Sequence, residues 1–253
     1  MSYEAIIAKV RSGGPGASFN QMTYGLNASA KTRVTALLQR DARRYPAGSD
    51  IILEGDESGP FFLVLDGWVA LNKSLKDGHV QTIDIILPAD VIMPSAEGVS
   101  VFDVHALTDV TVCAVPMQEL DNLEAADPPH MWTSIRALSA AAKARIAERM
   151  LRLGQGSAEV RIAYFLTELY LRISACSDNQ DMVFHLPLTQ QQIGEFVGLS
   201  SVHVCRTLRR LSRNGLIDTS SHLKIVINDF DSIANIAQID INQLKAEILP
   251  SDC

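Results

Sequence analysis

Residues 188–217, LTQQQIGEFVGLSSVHVCRTLRRLSRNGLI, constrain the fold more tightly than any other part of the chain. Thr189 is an N-cap residue ahead of a helix over 190–197, and Ser200 caps a second helix that runs to about Arg213. Between them Gly198 permits a sharp turn, and Gly194 is small where two closely joined helices cross. Ile193, Val197, Leu199, Val204 and Leu208 recur at the spacing that turns them inward. Ser200, Ser201, Val202, Cys205, Arg206 and Arg209 are left facing outward, with His203 beside them. This is helix-turn-helix spacing, and the second helix of such a unit offers its N-terminal residues to base edges in the major groove. Arginine suits that face because it grips guanine O6 and N7 in a bidentate contact, or neutralises phosphate. After the second helix, NGLI places Gly215 at a C′ position, and IDTSSHLKIVIND reads as two short strands about a turn. That hairpin is a wing, from which His222 and Lys224 reach backbone phosphates.

Charge agrees with this once it is divided along the chain. The formal net charge is −7, yet residues 131–224 hold 12 Lys/Arg against 7 Asp/Glu, while residues 1–130 hold 9 against 17. A basic middle beside an acidic N-terminal half suits a protein of which one part meets a polyanion. No apolar run approaches ~20 residues, so no membrane span is expected. The N-terminus lacks the h-region of a secretory signal. The four cysteines, Cys113, Cys176, Cys205 and Cys253, form no CxxC or Cys/His zinc spacing, which suits free thiols and a cytoplasmic protein.

Upstream, residues 1–28 read as a loose arm, and Ser29 is positioned to cap a helix to about Asp41 carrying Val34, Leu37 and Leu38. From Tyr45 short β-rich runs are punctuated by glycine turns about every ten residues, which suits a compact antiparallel barrel or jelly roll. A further strand pair is expected over about 99–116. Pro128 and Pro129 then open a helix over 130–153, in which Ile135, Leu138, Ala142, Ile146, Met150 and Leu153 form one apolar stripe suited to pairing with a second copy. GQGS at 154–157 ends it, and a second amphipathic helix follows over 158–175. The C-terminal DFDSIANIAQIDINQLKAEIL reads as one more amphipathic helix.

A β-roll with glycine turns, a long helix and a winged helix containing LTQQQIGEFVGLSSVHVCRTLRRL together resemble the Crp/Fnr family of bacterial transcription regulators, over about residues 30–227. Gly48, Gly55 and Gly67 stand at the family's turn positions. The resemblance implies an α+β chain with a cyclic-nucleotide-binding-type β-roll, a long dimerisation helix and a C-terminal winged helix-turn-helix. The divisions are an arm at 1–28, the roll at 29–127, the helix at 128–153, the DNA-binding unit at 154–228 and a helical extension at 229–253. It implies a homodimer on palindromic double-stranded DNA, with RNA polymerase as a further partner. Thr189 and Gln190 match positions that contact phosphate, and Ser201, Val202 and Arg206 match the three that read bases. Only Arg206 keeps the family's usual residue; the glutamate that would accept from cytosine N4 is absent, so a half-site other than TGTGA or TTGAT is expected.

In this family the roll often holds a cyclic nucleotide through a Gly-Glu-Leu turn and an arginine. The matching stretch, ADVIMPSAEGVSVFDVHALTD, has neither, and no Lys or Arg occurs between Lys76 and Arg136. Cys113 matches one cluster cysteine of the Fnr branch, but residues 1–112 contain no other. His79, in a turn, and His105, on a strand, are read as structural or solvated rather than as haem ligands. No cofactor is therefore expected, and the effector is unknown. Cys205, beside Arg206 and Arg209, is a candidate redox switch, since cations favour the thiolate and oxidation would add bulk at the groove. An alternative is a ligand-sensing roll acting through protein contacts without sequence-specific DNA binding. No Ser/His/Asp, metal or phosphate-loop constellation points to an enzyme.

Overall fold

The computed structural model describes residues 36–38, 40–126, 130–175, 183–221 and 224–249. The expected N-terminal arm, Ser29, Val34, Pro128, Pro129, Cys176, His222 and Cys253 lie outside the described residues. Strands β1 (Ala42–Tyr45), β2 (Asp50–Ile52), β3 (Phe61–Asp66), β4 (Val69–Ser74), β5 (Val80–Ile86), β6 (Val91–Ile92), β7 (Asp103–Ala106) and β8 (Val110–Val115) build two antiparallel sheets, ordered β1-β8-β3-β6 and β2-β7-β4-β5. Between the sheets lie Ile52, Phe62, Val64, Val69, Leu71, Ile86, Val104, Ala106, Val110 and Val112.

The strands expected as a pair over 99–116 do not pair with each other. β7 bonds to β2 and β4, whereas β8 bonds to β1 and β3. The short connection crosses from one sheet to the other, so Val104 and Ala106 meet Val110 and Val112 across the sandwich instead of lying beside them. Gly67 makes the crossing possible. Its φ is +83°, and a Cβ there would lie 2.2 Å from the Asp109 carbonyl oxygen.

β3, FFLVLD, is apolar without alternation because both of its faces are covered. Phe62 and Val64 face the sandwich, while Phe61 and Leu63 join Leu37, Leu38, Cys113, Leu120 and Ile135 on the outside. Leu120 belongs to a helix the sequence reading passed over, α1 (Met117–Ala126). Ile135 belongs to α2 (His130–Gln155), which runs two residues past its expected end, through Gly154. Then come α3 (Ala158–Ala175), β9 (Val183–His185), α4 (Gln190–Val197), α5 (Ser201–Arg213), and the wing strands β10 (Ile217–Ser221) and β11 (Lys224–Ile227), in a sheet ordered β10-β11-β9. The single C-terminal helix expected is two: α6 (Phe230–Ala237) and α7 (Ile241–Ile248). Gln238 adopts a left-handed φ of 56° and Asp240 caps a new helix, which breaks the run. Among the described residues, no helix is long and apolar enough to cross a membrane.

The largest departure from expectation is the way α2 faces. Part of its apolar stripe is used within the chain: Ile135 is buried in the roll's outer core and Leu138 packs against the same cluster. Leu153 points at the turn between α4 and α5. Ala142 and Ile146 are half-buried, and only Met150, with its neighbour Leu151, is well exposed. The inward side of the C-terminal half is instead Ala141, Arg145, Arg149 and Arg152, all at most 7% exposed.

These arginines meet acids supplied by other elements. Asp84 on β5 accepts from Arg145 Nη2 and Arg149 Nη2, each at 3.0 Å. Arg149 also reaches Glu168 on α3 at 3.1 Å, and Arg172 joins Glu168 at 3.2 Å to Asp90 of the roll at 2.6 Å. Arg149 donates to the Ile83 carbonyl, and Arg172 to that of Ile85 at 2.7 Å. Three cations and three carboxylates thus join the roll, α2 and α3 below the surface. Burial by itself pushes the Asp84 carboxyl up, but Arg145, Arg149 and Arg172 outweigh it and hold the group at about 2. Removing one member strands buried charge, so Asp84→Asn is expected to cost about 3–5 kcal/mol in urea unfolding at neutral pH. Because the Asp84 value is depressed in the fold, its contribution is complete above the unfolded carboxyl value near ~4 and is lost as pH falls toward about 2. The difference between wild type and variant should therefore shrink across that acid window.

Candidate nucleic-acid interface

Each helix of the α4–α5 pair is started by its own cap. Thr189 Oγ1 accepts from the Gln192 backbone N–H at 3.2 Å, and Gln192 Oε1 accepts from the Thr189 N–H at 2.8 Å, a complete capping box. Ser200 Oγ accepts from the His203 N–H at the start of α5 and lies 2.8 Å from His203 Nδ1. Between the caps, the N–H groups of Gly198 and Leu199 both bond to the Gly194 carbonyl. A Cβ on Gly194 would lie 2.3 Å from the Leu199 carbonyl oxygen, so only glycine allows the crossing.

Two residues that the sequence reading did not single out complete the end of α4. Gln81 of β5 donates from Nε2 to the carbonyls of Glu195 at 2.6 Å and Phe196 at 3.2 Å. Arg161 of α3 donates to those of Val197 at 3.4 Å and Gly198 at 3.1 Å. Carbonyls at a helix end have no partner within the helix, and here the roll and α3 supply them. The Arg149 guanidinium also stacks 3.9 Å from the Phe196 ring centroid. No local pattern marks Gln81, because its partner lies more than a hundred residues away.

On α5, Val204, Thr207 and Leu211 are buried, and Leu208 packs against the same core. At ~100° per residue, Val202, Arg206, Arg209 and Arg213 fall within an arc of roughly 60° on the opposite side. All four are exposed. Arg213 extends the face expected from the sequence by one turn. Ser201 and Cys205 run along one edge, Ser201 exposed and Cys205 half-buried, and the exposed His203 runs along the other. The fourth arginine, Arg210, turns back to Glu159 of α3 at 2.5 Å. Thr189, Gln190 and Ser200 are exposed at the two helix starts, and Lys224 is exposed at the start of β11. Of the predicted residues, those of α5 lie on its solvent side, and Thr189, Gln190 and Lys224 are exposed on the elements beside it.

The roll does not fit the ligands its fold suggests. The arginines that reach it, Arg145, Arg149 and Arg172, are each bound to Asp84, Asp90 or Glu168. A buried cyclic phosphate needs a cation, and the stretch from Lys76 to Arg136 supplies none. Cys113 is fully buried among apolar side chains, with Sγ 3.7 Å from the Leu37 carbonyl oxygen. Burial, reinforced by Asp41, pushes its thiol up to about 12, the reverse of what a cluster thiolate requires. His105 Nδ1 lies 2.7 Å from Asp50, and His79 pairs with Asp77 at 2.9 Å.

Comparison with known proteins supports both halves of the chain. Residues 42–127 match the cyclic nucleotide-binding domain family, and residues 160–236 the Crp-like helix-turn-helix domain family. The nitrogen fixation regulation protein FixK of Bradyrhizobium diazoefficiens is 30% identical over 173 residues, 68% of this chain and 72% of that protein. The transcriptional activator protein FnrL of Cereibacter sphaeroides is 27% identical over 191 residues, 74% of this chain and 77% of that protein. The solved structure of FixK2 from Bradyrhizobium japonicum superimposes with a TM-score of 0.70 at 25% identity, covering 79% of this chain and 98% of that one. The Gly194 crossing is open to a direct check. Gly194→Ala is expected to cost about 1–3 kcal/mol of stability by forcing the two helices apart. Thermal unfolding would read that loss, and DNA affinity should fall with it.

Proposed function

The chain belongs to the Crp/Fnr family of DNA-binding transcription regulators, and from that premise we propose that it binds two-fold symmetric DNA as a homodimer through α5. The observation that carries this reading is the exposed line of Val202, Arg206, Arg209 and Arg213 on a helix whose start and crossing are fixed by Ser200 and Gly194. Arg206 reads a base edge. Arg209, Arg213, Thr189, Gln190 and Lys224 meet phosphates, while Ser201 and Cys205 line one side of the groove and His203 the other. Two copies pair along the exposed part of α2, where Met150 and Leu151 are exposed and Ile146 is half-buried. RNA polymerase is the further partner, and the cytoplasm the compartment. The roll serves in this reading without a cyclic nucleotide or an iron–sulfur cluster, because neither the charges nor the thiol placed there suit one.

Selection of bound sequences from a random DNA pool, with the purified reduced protein and no effector, tests the reading. A two-fold symmetric site should be enriched. On that site Arg206→Ala should cost about 1–3 kcal/mol and relax preference at one base pair of each half. Arg209→Ala should weaken binding to all sequences alike and lower the salt slope by about 0.9 for each phosphate released. Met150→Glu should shift the protein toward monomer in sedimentation and abolish preference for two-fold symmetry.

A further inference from the structure

We infer that Val202 selects a thymine in each half-site through that base's 5-methyl group. The inference rests on the reading that α5 lies in the major groove, and it names what one residue of that face recognises. Val202 is an apolar side chain 55% exposed at the start of a face otherwise made of arginine, serine, histidine and a half-buried cysteine. Among the described residues it packs on none of the apolar clusters. A β-branched side chain on a helix is held in essentially one rotamer, so its two methyls have a fixed aim and little entropy to lose on contact. It has no atom that donates or accepts a hydrogen bond. In the major groove the four base pairs differ by donors, by acceptors and by one apolar feature, the thymine methyl. Of these, valine complements only the methyl.

The neighbours of Val202 make the contact specific. Arg206 stands four residues along the same face, about 6 Å on. Base steps are about 3.4 Å apart, so the thymine lies about one to two steps from the guanine that Arg206 reads. At the other end, the Ser200–His203 hydrogen bond holds the first turn of α5 and keeps the imidazole at its edge. Ser201 and His203 flank Val202 with polar groups, so the apolar contact is confined to one base.

The test uses the full-length protein and the site enriched by selection, with deoxyuridine replacing thymine at one position at a time. Deoxyuridine pairs as thymine does and lacks only the methyl. At one thymine per half-site, wild type should bind the deoxyuridine duplex about fourfold more weakly, the ~0.8 kcal/mol of one buried methyl group. The readout is the thymine-to-deoxyuridine ratio within each variant, which a general loss of affinity does not move. Val202→Ser should bring that ratio to one, and Val202→Thr, which keeps a methyl, should preserve most of it. A wild-type site at which no thymine methyl matters overturns the inference, as does a ratio that survives Val202→Ser. If selection enriches no sequence, the DNA-reading function itself fails and the inference falls with it, an outcome distinct from an enriched site indifferent to deoxyuridine.

Discussion

The cluster of Asp84, Asp90 and Glu168 with Arg145, Arg149 and Arg172 sets the terms on which the rest of this molecule is assembled. Such charges are costly to remove from water, and the cost is offset only where every partner is within hydrogen-bond distance. The carboxylates come from the roll and α3, and the guanidiniums from α2 and α3. One arrangement of those three parts satisfies the cluster, and a shift of any of them strands a buried charge. The fit is close but incomplete: the Nε atoms of Arg145 and Arg149 have no partner among the described residues. Apolar packing could hold the same elements together, but it tolerates sliding that a set of directed ion pairs does not.

The position of the α4–α5 pair depends on that arrangement. Arg149, bound to Asp84 and Glu168, also stacks on Phe196 of α4. Gln81, a few residues before Asp84 on β5, supplies the carbonyls at the end of the same helix. Arg152 packs on Tyr164, pairs with Glu148 and reaches the Gln238 carbonyl at the end of α6, so the C-terminal helices are tied to the same side of α2. The reading head is thus fixed to a roll strand as well as to its own core.

Charge is sorted in the same way. The arginines of α2 and α3 in this cluster are consumed internally, and Arg210 is held by Glu159. Arg206, Arg209 and Arg213 are left on one side of α5, while most of the acidic excess lies in the sequence before α2. An acidic protein can therefore present a cationic edge to a polyanion. The functional sign of an arginine depends on its neighbours in space, which the net charge of −7 does not report.

How much of this was legible beforehand follows from the range of the interactions. The helix-turn-helix was readable nearly to the residue because its determinants are local. The Thr189 and Ser200 caps, the Gly198 turn and the Gly194 crossing each act within about five residues, and the outward face follows from helix periodicity. The direction of α2 was not readable. Its apolar positions suggested a seam, yet Arg145, Arg149 and Arg152 face inward because Asp84, Glu168 and Tyr164, distant in sequence, wait there. The separation of β7 from β8, and the dependence of α4 on Gln81, were hidden for the same reason. Local sequence signals were enough to show where the DNA-binding pair starts and turns and which side chains it exposes, but not every helix, since α1 went unmarked and α6 and α7 read as one. Which charges are buried and which strands are neighbours was settled by the fold, because a buried ion pair or a cross-sheet contact is favourable only once the chain has brought its distant halves together.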